Sequence, residues 1–185
     1  MGRIRKYWKR KRNKLVNTLF TRHRTLPVDE ILRRQGLKGK EGKDEDYVRL
    51  DIAVRQLAIE CYYGKNSYGF DLYERMQTER VRRPENYGAI AVERFKDLLD
   101  SFTSSGYDDR SEIELASDYS LMDGCHRFSL VLYSGLKEIP CMIRPYKSLH
   151  RYPVTWFREK GFSEDEIAII LGKMREIEAS VLGEG

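Results

Sequence analysis

Apolar positions recur along most of the chain at helical spacing, broken in a few places by alternation. Tyr47, Leu50, Val54, Leu57, Ala58 and Cys61 predict a helix with one buried face. The stretch YYGKNSYGF, residues 62–70, interrupts it with two glycines and an asparagine, and Phe70, Tyr73 and Met76 begin a second short helix. Arg82-Arg83-Pro84 is extended, because proline disfavours helix at the residue before it. Val92, Phe95, Leu98, Leu99 and Phe102 form an amphipathic helix that stops near Ser104-Ser105-Gly106. Ile113 and Leu115 alternate with polar neighbours, and Leu121-Met122 ends a short strand before a tight turn at Asp123-Gly124. A helix then runs from about Cys125 through Phe128, Val131 and Leu132, with Gly135 near its C-terminus and a strand at Ile139, Cys141 and Ile143. Ser163 with Glu166 fits a capping box ahead of the stripe Ile167, Ile170, Leu171, Met174 and Ile177. The succession predicts an α/β (α+β) fold. A basic, helical arm at 1–35 and a glycine-rich, charged linker at 36–46 precede a helical extension at 47–80. A compact core with a small mixed sheet follows at 81–147, and a helical segment at 148–185 packs on it.

Composition narrows the class. The chain has 185 residues, with 41% hydrophobic and 34% charged, values of a folded domain rather than a disordered one. No apolar run reaches the length of a bilayer span. The start, MGRIRKYWKRKRNKLV, lacks the apolar core of a secretory signal, so a cytoplasmic address is expected. Three cysteines are too few and too scattered for a disulfide framework or zinc cluster. The net charge of +5 conceals an asymmetry: ten of the 34 basic residues lie within 1–25, where no acid occurs, so the rest of the chain is mildly acidic. That arm, with Tyr7, Trp8, Leu15, Val16, Leu19 and Phe20 interleaved, suits nucleic acid or an anionic membrane surface, which would place the protein peripherally at the inner membrane face. A solvated basic helix docked on the acidic body fits equally well.

The stretch from Leu121 to Ile143 carries the candidate chemistry. A strand ends, the chain turns at Gly124, and a helix begins, leaving backbone N–H groups unpaired where the helix dipole is positive. Gly124, Cys125, His126 and Arg127 together suit phosphate oxygens. Asp123 at the edge suits Mg²⁺ binding or acceptance of a hydroxyl proton. Cys125, at a helix start beside two potential cations, is expected to favour thiolate. Each residue also has a plain structural use. Asp-Gly is a common turn, Asp a common N-cap, and a buried Cys a small hydrophobe.

DGCHR, the amphipathic helix after it, and GLKEIP leading into a strand resemble the ParB/sulfiredoxin superfamily over roughly residues 80–146. Arg-Pro upstream and a helix ending in a Ser-Gly turn match as well. The resemblance implies a ParB/sulfiredoxin-like core and a nucleotide, ATP or ADP, with Mg²⁺. Three branches offer functions. In the sulfiredoxin branch Cys125 would be the reactive thiol, His126 and Arg127 would hold ATP phosphates, and Arg94 and Ser101 would contribute from the preceding helix. Asp97 and Asp123 depart from that branch by adding negative charge near the phosphates. The free serine kinase-like branch has the acid of DGxHR and an upstream catalytic Glu. It implies a kinase-type phosphotransferase acting on a sugar, polyol or serine, with Asp123, His126 and Glu85 as catalytic residues. The ParB branch implies a CTP- or DNA-binding module without catalysis. YYGKNSYGFDLYERMQ also looks similar to proteins of bacterial surface-polysaccharide gene neighbourhoods, which would favour a sugar acceptor. Tyr62, Tyr63, Tyr68 and Phe70 would then stack on the ring or, as ordinary packing, join the core.

Overall fold

The structure is a computed structural model that describes residues 21–35, 47–80, 84, 86–108, 111–146 and 151–183. In chain order the elements are β1 (Arg22–Pro27), α1 (Val28–Arg33), α2 (Asp51–Tyr62), α3 (Gly69–Thr78) and α4 (Tyr87–Ser105). They continue with β2 (Ile113–Leu115), β3 (Leu121–Asp123), α5 (Cys125–Ser134), β4 (Glu138–Ile143), α6 (Val154–Glu159) and α7 (Glu164–Leu182). The fold is therefore mixed α and β, as the residue pattern predicts. None of the helices among the described residues is long and apolar enough to cross a membrane.

The four strands make one mixed sheet in the order β1-β4-β2-β3. β4 runs antiparallel to β1 and parallel to β2, and β3 returns antiparallel beside β2. Alternation in β4 sends Ile139, Cys141 and Ile143 into the core and leaves Pro140 and Met142 half-buried on the other face. That one-sided burial is the mark of a sheet covered by helices on a single face.

β1 differs from the helical arm expected over 1–35. Within Arg22–Pro27 only Leu26 is buried, and Arg22 pairs with Ile143 while Pro27 pairs with Glu138. An edge strand is held by backbone bonds on one side and needs no apolar stripe. Charged residues on such an edge also discourage further pairing. Residues 1–20 and the linker at 36–46 lie outside the described residues.

The second departure concerns α2. Periodicity predicts one buried face, yet every residue from Asp51 to Ile59 is buried. α3, α5 and α7 pack around this helix, which forms the axis of the core. A wholly buried helix must satisfy its polar side chains internally. Gln56 does so by donating to the Ser129 carbonyl at 2.6 Å, which ties α2 to α5. Gly69 opens α3 against α2 so closely that a Cβ there would lie 2.0 Å from the Leu57 carbonyl oxygen. The C-terminal half closes the core as predicted. Ser163 and Glu166 form the reciprocal capping box, and Ile167, Ile170, Leu171, Met174 and Ile177 of α7 are buried.

Candidate functional site: an electropositive cradle at the start of α5

The turn between β3 and α5 is built on a left-handed residue. Gly124 has φ +79°, and a Cβ at that position would stand 2.8 Å from Ile113 Cγ2 on β2. Any other residue would be strained there and would also collide with the sheet. The Asp123 carboxylate accepts a hydrogen bond from the Gly124 amide at 2.7 Å and is otherwise exposed at the rim. No side chain caps α5. The first-turn amides of Cys125, His126 and Arg127 are therefore left without an intrahelical acceptor, at the positive end of the dipole. Arg127 is half-buried, and its side chain makes no hydrogen bond or ion pair among the described residues.

Beneath this turn lies a charged cluster that the motif does not reveal. Arg49 is 2% exposed, and its guanidinium meets acceptors from four directions. Nε and Nη2 donate to the two Asp51 oxygens at 2.7 and 3.0 Å, and Nη1 donates to the Leu121 carbonyl at 3.1 Å and to Gln35 Oε1 at 3.5 Å. Nη2 also donates to Cys125 Sγ at 3.3 Å. Arg55, also 2% exposed, donates through Nη1 to Asp51 Oδ2 at 2.7 Å and to the Asp51 carbonyl at 2.6 Å. Burial by itself would raise the Asp51 pKa, but the two guanidiniums outweigh it and hold the carboxyl well below its ordinary value. Burial likewise opposes the charge on Arg49, and Asp51 more than offsets it. Two buried cations thus share one carboxylate, and Arg55 Nε has no hydrogen-bond partner among the described residues. The local charge is positive just where the α5 amides point outward.

His126 does not stand free as a charged donor. Its Nε2 lies 2.5 Å from the Tyr73 hydroxyl on α3, and its ring centroid is 4.6 Å from that of Phe95 on α4. Burial, then Arg55 and Arg80, push its pKa down to about 3, so the imidazole is neutral at physiological pH.

The other candidates are placed more loosely. Arg94 and Ser101 lie on the exposed face of α4, and among the described residues neither makes a hydrogen bond or ion pair with residues 123–127. Glu85 lies outside the described residues. Tyr63 and Tyr68 are exposed, and Tyr63 stacks on Tyr133 at 5.3 Å, while Phe70 packs against the core. Tyr63 caps the C-terminal end of α2, about 18 Å along the helix from Asp51, while Tyr68 and Phe70 belong to the start of α3. A cavity of about 500 Å³ lies at the C-terminal end of α5, lined by Val28, Leu132, Leu136 and Val181 among others, away from the cradle.

Sequence reasoning missed Arg49, Asp51, Arg55 and Tyr73. A signal was present: Asp51 and Arg55 stand four apart inside an apolar run, where a helix with a dry environment tolerates only paired charge. Among the described residues no three His, Cys, Asp or Glu side chains converge into a metal cluster. No family model, curated protein or solved structure matches the chain.

Proposed function

We propose that the protein holds the phosphates of a nucleotide, ATP or ADP, at the start of α5 and transfers a phosphoryl group to a small hydroxylated acceptor such as a sugar, polyol or serine. One observation carries this reading: an uncapped helix N-terminus lies over two buried arginines that share one carboxylate. Bare amides, an Arg127 side chain without a partner among the described residues, and that surplus of positive charge all favour an anion. The order α4, β2, β3, α5, β4 also follows the order of elements expected for a ParB/sulfiredoxin-like unit.

In this reading Gly124 lets the backbone approach the phosphates, and the amides of Cys125, His126 and Arg127 donate hydrogen bonds to the phosphate oxygens. Arg127 neutralises the oxygens from its side chain. Asp123, exposed at the rim, takes the proton of the acceptor hydroxyl. Alternatively Asp123 would hold a Mg²⁺ ion, which would offset phosphate charge there. Catalysis then rests on charge neutralisation and in-line positioning. Glu85 is assigned a catalytic role, and Arg94 and Ser101 phosphate contacts, on the resemblance alone.

The test is nucleotide turnover with Mg²⁺ against a panel of sugars, polyols and serine. Asp123→Ala and Arg127→Ala should abolish turnover, and parent-like turnover in both would overturn the assignment. The contact from Arg49 Nη2 to Cys125 Sγ favours a second reading, a thiol enzyme built on Cys125. Cys125→Ser would end thiol chemistry and spare phosphoryl transfer. A third reading, a nucleotide- or nucleic-acid-binding module without catalysis, predicts salt-sensitive binding lost on deletion of residues 1–20. Membrane-peripheral placement in the cytoplasm would rest on the same arm.

A further inference from the structure

Tyr73 is not required by the motif, yet it makes the closest contact to His126. Its side chain is fully buried on α3, and its hydroxyl makes one hydrogen bond among the described residues, to His126 Nε2 at 2.5 Å. A buried O–H with no acceptor costs about 1–3 kcal/mol. Tyr73 therefore keeps its proton and directs it at Nε2. A neutral imidazole whose Nε2 accepts must carry its own proton on Nδ1. Nδ1 is bonded directly to Cγ, so it lies on the backbone side of the ring.

We propose that Tyr73 is a positioning residue that fixes His126 as the neutral Nδ1–H tautomer, so that the imidazole offers one uncharged hydrogen bond to the anion held at the start of α5. The identity of the recipient rests on the phosphate reading above; the tautomer does not. Packing supports the assignment, because Phe95 and Tyr73 hold the ring in place with centroids 4.6 and 5.7 Å away. The charges around it act in one direction. Arg55 on α2, Arg80 beyond α3 and Arg127 on α5 oppose protonation, and Asp51 is the one acid that favours it among these neighbours. Arg49 and Cys125 complete the surroundings through their bond to each other. Burial pushes the Tyr73 phenol up to about 12, so it stays a donor throughout the neutral range. A cationic histidine would strengthen anion binding as the pH falls; this one cannot, so His126 adds no pH dependence to binding through the usual histidine range.

Two-bond proton–nitrogen spectra of the imidazoles in the full chain test the tautomer, with the His126 signals identified by their loss in His126→Asn. The expected result at pH 6 and pH 8 is protonated Nδ1 and bare Nε2, unchanged between the two. In Tyr73→Phe, which keeps the volume and loses the donor, the signals should move toward a tautomer mixture or begin to titrate. Protonated Nε2 in the parent, or titration between pH 6 and 8, overturns the proposal. ATP titration tests the donor role. The amide nitrogen of His126→Asn stands near the Nδ1 position and should preserve affinity, while His126→Gln should lose about tenfold, the worth of one such bond. Equal affinity of the two variants overturns the donor role. An Nδ1–H imidazole in a chain that binds no ATP leaves the tautomer standing and removes the phosphate reading.

Discussion

Replacing Asp51 by Asn removes the anion from the buried cluster and changes little else in shape. The carboxylate is 1% exposed and lies 2.7 Å from both Arg49 Nε and Arg55 Nη1. Asn keeps one acceptor oxygen but turns an N–H₂ group toward a guanidinium. Two arginines, each 2% exposed, are then left without a counter-charge. Removing one partner of a buried ion pair costs about 3–5 kcal/mol. Sharing by two arginines puts this site at the upper end, about 4–5 kcal/mol, a large part of the roughly 5–15 kcal/mol that holds a domain together. For a chain of this length the melting temperature should fall by roughly 8–20 °C. Urea unfolding followed by far-ultraviolet circular dichroism at pH 7 measures the difference directly, and Asp51→Asn with Arg55→Met should recover part of it by removing the surplus charge. A loss below about 1 kcal/mol for the single variant would refute the reasoning, because it would mean that water reaches the cluster.

Three further outcomes follow from single contacts. Gly124→Ala should cost about 2–3 kcal/mol, from the left-handed backbone and the 2.8 Å approach to Ile113, and parent-like urea stability would contradict the turn. Ser163→Ala removes the cap that accepts from the Glu166 amide at 3.2 Å and should cost about 1 kcal/mol in the same assay. Stability should decline on acidification in two overlapping steps. The folded pKa of His126, about 3, lies below its unfolded value, so the unfolded chain takes the proton first and stability falls from about pH 6.5 downward, by up to about 1.4 kcal/mol per pH unit. The Asp51 contribution is present in full above the unfolded carboxylate value of about 4 and is lost as the pH falls toward its lower folded value. Urea midpoints at pH 7, 5.5 and 4.5 check the first step, which His126→Asn should flatten, and midpoints taken below about pH 4 check the second.

Local signals made much of the fold legible. The helix from Cys125 to Ser134 is bounded by glycines in left-handed conformation at both ends, and the capping box at Ser163 needs only four residues to declare itself. The strand at Glu138–Ile143 follows from alternation. β1 was illegible because its partner is β4, more than a hundred residues away, and only Leu26 of its side chains is buried. Burial around the whole of α2 depends on three other helices, which no window of sequence contains. The same holds for the site. Gly124 and the helix start are a contiguous motif, whereas Arg49 reaches Cys125 across 76 positions and Tyr73 reaches His126 across 53. Local pattern located the turn that opens α5, and long-range packing determined the charge beneath it and the state of its histidine.

Titration of the nitrogen-labelled chain with Mg²⁺ and ATP, followed through the backbone amides, tests the phosphate cradle most directly. The amides of Gly124, Cys125, His126 and Arg127 should shift along one saturating curve, with Arg127→Ala weakening binding by about tenfold or more. Shifts confined to other elements, or no shift of these four amides at millimolar nucleotide, would contradict the account.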